Sequence, residues 1–108
     1  MADGRIKKHK YSICSICKAN PKTRVRLLKA VDDSTIKALC DVIKTVVCGQ
    51  LGSIISQKNR NKLKQHRKTL VSLVSSNKSI KAKRKILNQK GGGVLSTIGS
   101  FIEKIFGF

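Results

Sequence analysis

Cys14-Ser-Ile-Cys17 is the first place in this 108-residue chain where residue type and spacing suggest chemistry. Two thiolates at that spacing can grip one tetrahedral zinc ion from a tight turn, and His9 stands close enough in sequence to act as a third ligand. The remaining cysteines complete such a site poorly. Cys40 and Cys48 lie eight residues apart in a helical pattern, about 12 Å of rise. The four cysteines are therefore expected to be reduced and to pack as small apolar residues, with Cys14 and Cys17 as weak metal candidates. Disulfides are not expected, because no apolar leader segment follows Lys7, Lys8 and Lys10. The four Asp and one Glu are scattered, and neither His9 nor His66 has an acid or hydroxyl partner at a recognised spacing. No catalytic residue and no cofactor are assigned, and an enzyme is not expected.

What the sequence does concentrate is positive charge. Residues 58–90 hold twelve Lys or Arg and no Asp or Glu: Lys58, Arg60, Lys62, Lys64, Arg67, Lys68, Lys78, Lys81, Lys83, Arg84, Lys85 and Lys90. With no carboxylate inside the run, these cations must look outward for anions, and solubility alone does not require so many. The whole chain has a formal net charge of +19 and a pI near 10.4. Such a charge opposes compaction and favours polyanions, chiefly nucleic acid and secondarily anionic membrane. Lys predominates over Arg in the run, which favours point-charge contacts to phosphate over bidentate reading of bases. The run has no aromatic residue on which RNA bases could stack. The twelve cations are thus the expected nucleic-acid-binding residues.

Apolar residues threaded through the run imply helices. Leu63, His66, Leu70, Leu73 and Val74 share one stripe, and Ile80, Ile86 and Leu87 another, so two amphipathic helices are expected with Asn77 capping the second. Lys58, Lys62 and Lys68 fall on the outer face of the first, and Lys78, Lys81 and Lys85 on that of the second. Upstream, Asn20-Pro21 predicts a helix start over 22–30, with Val25 and Leu28 inward and Lys22, Arg26 and Lys29 outward. Asp32-Asp33-Ser34 caps the next helix, whose stripe of Ile36, Leu39, Cys40, Ile43 and Val47 marks it as the core helix. Cys48-Gly49 closes it, and residues 50–56 form a connector. The expected fold is an all-α bundle of three to four short-connected helices over 20–90, with an aliphatic core. A basic arm with the Cys pair occupies 1–19, nothing periodic folding its first thirteen residues. A helix-turn-helix pair within the bundle is open.

After Gly91-Gly92-Gly93 the composition changes. The first 93 residues hold 23 Lys or Arg against four Asp, and residues 94–108 hold one Lys and one Glu. Val94, Ile98, Phe101, Ile102, Ile105 and Phe108 fall on one helical face, making 94–108 an amphipathic apolar tail about 22 Å long. That is short of the roughly 30 Å needed to cross a bilayer but suits an interface. Two expectations stand for it: a helix docked on the bundle, or a membrane-binding segment released at a flexible glycine hinge.

Asn20-Pro-Lys-Thr-Arg, Lys62-Leu-Lys-Gln-His-Arg-Lys-Thr-Leu and Ile86-Leu-Asn-Gln-Lys-Gly-Gly-Gly before an apolar tail together resemble the small basic proteins of adintoviruses and Maverick/Polinton elements. In that group the likeness runs to adenovirus core protein X and, more loosely, to the minor capsid protein VI type, over roughly residues 18–95. The resemblance implies a virion component in the particle and the host nucleus that condenses double-stranded viral DNA beside capsid proteins. It further implies a precursor cut by a viral cysteine protease at Gly91, Gly92 and Gly93. A membrane-active minor capsid protein is the competing expectation, and a helix-turn-helix DNA-binding regulator a minor third.

Overall fold

The helix with the cleanest apolar stripe is also the longest. In the computed structural model, which describes the backbone of residues 8–47, 55–75 and 77–106 and the side chains of all of these but 105 and 106, this helix spans Asp33–Val47 and buries Ile36, Leu39, Cys40 and Ile43 as the stripe requires. It buries Ala38, Val42 and Val46 as well, so it is enclosed on more than one side. Val47 departs from the expectation: it is 44% exposed. Asp32 caps the helix, its Oδ1 accepting the Thr35 N–H at 2.9 Å. The expected Cys48-Gly49 closure, Cys48 itself and the connector up to residue 54 lie outside the described residues.

Among the described residues there are seven further helices and no strand, and this helix packs against those of Lys10–Lys18, Arg67–Val74 and Ile80–Lys90. In chain order they are α1 (Lys10–Lys18), α2 (Pro21–Ala30), α3 (Asp33–Val47), α4 (Gln57–Lys64), α5 (Arg67–Val74), α6 (Ile80–Lys90), α7 (Gly92–Gly99) and α8 (Ile102–Phe106). The all-α expectation holds, while three to four helices become eight for three physical reasons.

First, the segment read as an unfolded arm contains a helix. Ile13, Ile16 and Cys17 lie at i, i+3 and i+4 and are buried, so the Cys pair belongs to an amphipathic helix and not to a metal-binding turn. Residues 1–7 lie outside the described residues. Second, the single basic helix expected up to Val74 breaks at Gln65-His66. There the Gln65 and His66 N–H groups donate to Lys62 and Leu63, tightening the last turn of α4. The break lets Leu63, Leu70 and Leu73 all reach the core, whereas His66 stays half-buried as the residue that opens α5.

Third, the tail docks. α7 packs against α1, α4, α6 and α8, and Val94, Leu95, Ile98, Phe101 and Ile102 are 0–3% exposed. The three glycines form no hinge. Gly91 ends α6 in right-handed helical conformation, its N–H donating to the Leu87 carbonyl at 3.1 Å, and Gly92 and Gly93 are the first turn of α7. What they supply is space. A Cβ on Gly93 would lie 2.6 Å from the His66 ring, and one on Gly99 would lie 2.8 Å from the Cys17 carbonyl oxygen.

Other local expectations fare variously. Asn20 caps α2 as its type predicts, Oδ1 accepting the Thr23 N–H at 2.8 Å with Pro21 at the first helical position. The cap of α6 is Ser79, whose Oγ accepts the Ala82 N–H at 3.1 Å; Asn77 is exposed and uninvolved. The core is aliphatic, as the composition demands, with Phe101 as the aromatic residue buried in it.

Candidate nucleic-acid interface

Two helices bring the basic surface together. α6 turns Leu87 into the core and packs Ile80 and Ile86 beside it, which leaves Lys81 and Lys85 exposed on the opposite side. α2 buries Leu28 and exposes Lys22, Arg26 and Lys29. The two helices pack side by side, and between them runs a cleft of about 430 Å³ lined by Val25, Lys29, Lys81, Arg84, Lys85, Asn88 and Gln89. No carboxylate among the described residues lines it. Val25, expected inward, is only half-buried and forms part of this cleft.

Arg84 differs from the other cations of the run. Its Nη1 donates to the carbonyl oxygens of Leu28 and Val31 at 2.7 and 2.6 Å, and its Nη2 meets Asp33 Oδ1 at 2.7 Å. The guanidinium thus joins the end of α2 and the start of α3 to α6, satisfying carbonyls a helix end leaves open. Expected as a phosphate ligand, Arg84 in this structure braces the cleft wall. Lys83 is half-buried beside Cys40, where its charge opposes the rise of that thiol's pKa.

The remaining cations of the run lie elsewhere. Lys58, Lys62 and Lys64 on α4 and Arg67 and Lys68 on α5 are exposed, as are Lys78 before α6 and Lys90 at its end. Arg60 is exposed too, and its Nε donates to the Ile55 carbonyl at 3.3 Å. Arg60, Lys64 and Arg67 rim an apolar groove of about 610 Å³ floored by residues including Val46, Leu63 and Val71. The structure brings Lys81 and Lys85 together with Lys29 at one cleft and carries the exposed cations of α4 and α5 on two further helices.

Lys29 was legible as an outward cation of α2, but nothing in the spacing links it to α6. Arg24 was missed altogether. It is 6% exposed and donates from Nε to Ile16 at 3.0 Å, from Nη2 to Cys17 and Ala19 at 3.1 and 2.8 Å, and from Nη1 to Gly92 at 3.2 Å, all backbone carbonyls. Its signal was an Arg four residues before Leu28, on the inward stripe of its own helix.

The metal candidates separate from this surface. Burial pushes the Cys17 thiol up to about 12 and raises that of Cys14, so both favour the neutral thiol over the thiolate a metal needs. His9, the proposed third ligand, instead places Nε2 2.8 Å from Ser34 Oγ and Nδ1 3.2 Å from Thr35 Oγ1. These hydroxyl partners come from α3, a proximity the sequence spacing could not reveal, and they fasten the start of α1 to the cap of α3. No group of three or more metal-binding side chains occurs among the described residues.

The expected membrane-binding face is likewise relocated. Val94, Ile98, Phe101 and Ile102 belong to the core, while Phe108 and the side chain of Ile105 lie outside what is described. Among the described residues no helix is long and apolar enough to cross a membrane. Comparison of the chain with protein families, curated proteins and solved structures finds no match in any of the three.

Proposed function

We propose that this protein binds double-stranded DNA through its phosphates without reading base sequence, as a core or minor capsid component of a virus particle. The observation that carries the binding reading is the sorting of the basic run. Its leucines go into the core, ten of its twelve cations are exposed, and the run contains no carboxylate to compete for them. Phosphate contacts need only accessible cations, and each neutralised phosphate releases condensed counterions. The lysines present point charges that suit any sequence equally.

The virion setting, with host nucleus, capsid proteins and a viral cysteine protease as surroundings and partners, rests on the resemblance to adintovirus and Polinton proteins. Burial of the apolar tail speaks for DNA over membrane, because a lipid-seeking role for Val94, Ile98, Phe101 and Ile102 requires pulling them out of the core.

Titration of duplexes of unrelated sequence at several salt concentrations tests the reading. If six to ten phosphates are met, affinity falls by about a thousandfold or more between 50 and 200 mM salt, equally for all duplexes. A shallow salt slope, or a strong preference for one duplex, overturns it.

A further inference from the structure

The geometry points to the α2–α6 cleft as a preformed phosphate-holding site, with Lys29, Lys81 and Lys85 as its cationic ligands; this deepens the DNA-binding reading and rests on it. Three observations converge on the cleft. It gathers ammonium groups from helices far apart in sequence into one concavity, where low-dielectric walls focus a field that a convex surface disperses. None of the three lysines is ion-paired among the described residues, and Asp33, at the start of α3, is engaged by Arg84.

The cleft is also built before any ligand arrives. Arg84 fixes α6 to the Leu28 and Val31 carbonyls, so the lysines stand on walls whose spacing is already set, and less ordering remains to be done on binding. The amides of Asn88 and Gln89 line the same cleft and can donate hydrogen bonds to non-bridging oxygens. The ligand is a phosphate-dense polyanion, either the DNA backbone or a free polyphosphate.

Two triple variants of the full chain, equal in charge removed, distinguish the place from the charge. One carries Lys29→Gln, Lys81→Gln and Lys85→Gln in the cleft; the other carries Lys58→Gln, Lys62→Gln and Lys68→Gln on α4 and α5. All six positions are exposed, and Gln is nearly as good a helix former as Lys, so both should fold. Each is titrated with random-sequence duplex DNA across a salt series, and separately with inorganic tripolyphosphate.

The cleft triple is expected to lose about tenfold or more in duplex affinity beyond the α4–α5 triple, with a salt slope reduced by up to about 2.7. Equal losses in both triples overturn the cleft while leaving general DNA binding intact. If the unmodified chain binds no duplex but its tripolyphosphate binding disappears in the cleft triple alone, the cleft stands as a small-polyanion site and the DNA reading falls. Failure to bind either ligand overturns both.

Discussion

Arg24 Nη1 and the Gly92 carbonyl oxygen lie 3.2 Å apart across 68 residues of chain, tying the second helix to the first turn of the seventh. The other guanidinium nitrogens hold the last carbonyls of α1, so one buried cation serves three helices with no carboxylate partner among the described residues. Four carbonyl dipoles replace water around the charge.

Arg24→Met is therefore expected to be costly, since it retains much of the side-chain bulk but leaves buried carbonyls without donors. A loss of about 3 kcal/mol is expected, which for a domain of this size lowers the melting temperature on the order of 10–20 °C. A denaturant titration checks this, and a change below about 0.5 kcal/mol, the scale of an ordinary surface substitution, would remove Arg24 from this role.

The glycines should respond unequally to alanine. At Gly92 the nearest atom to an added Cβ is 3.8 Å away, so Gly92→Ala should be neutral or stabilise by up to about 1 kcal/mol through helix propensity. At Gly99 a Cβ meets the Cys17 backbone at 2.8 Å, and Gly99→Ala should cost about 1–3 kcal/mol despite the same propensity gain. A free glycine linker would tolerate Ala at 92 without any change in helix content, so circular dichroism and melting together discriminate.

Ending the chain at Gly93 removes Val94, Leu95, Ile98, Phe101 and Ile102 from the core. At about 1.5–3 kcal/mol for each buried side chain the loss is on the order of 10 kcal/mol, comparable with the entire stability of about 5–15 kcal/mol typical of a domain. Loss of the cooperative melt is expected. A truncated chain that melts like the parent, with a 94–108 peptide that becomes helical on vesicles, would restore the separable tail.

Stability should have an acid and an alkaline limb with identifiable residues. The Thr35 N–H and hydroxyl both donate to Asp32 and hold its carboxyl below the usual range. A depressed folded pKa contributes stability above the unfolded value that is lost as pH falls through the folded one. Asp32→Ser keeps a cap but cannot titrate, so its melting temperature should fall less on acidification.

On the alkaline side, burial pushes the thiols of Cys17 and Cys40 up to about 12 and about 11. For these groups stability is full below the unfolded thiol value of about 8.5 and declines as pH rises toward the folded values. Cys40→Ala should therefore lose less stability than the parent between about pH 8 and pH 10.5. An alkaline limb identical in parent and variant would show that the Cys40 thiol does not contribute.

Legibility in the sequence followed the range of the interaction. Helix starts at Asn20 and Asp32 and the core stripe of α3 depend on residues within a turn or two, and they were readable. Asn77 was read as the cap where Ser79 holds that place, because both residue types suit a cap and only packing decides the register of α6. The break at His66 and the close packing at Gly93 and Gly99 depend on partners far along the chain. The same holds for the candidate site: Lys81 and Lys85 announced themselves by charge, but Lys29 joins them only through the packing of α2 on α6. Arg84 was indistinguishable in sequence from its neighbours, since the carbonyls that engage it belong to another helix.

The contact of α1 with α7 also constrains the order of events in folding. The first helix buries Ile13, Ile16 and Cys17 against a partner that is translated more than seventy residues later. Closing so distant a pair carries a loop-entropy cost before any contact repays it. No nascent fragment lacking α7 has a finished core, so the fold is expected to close only once α7 has been synthesised and can seal the first helix.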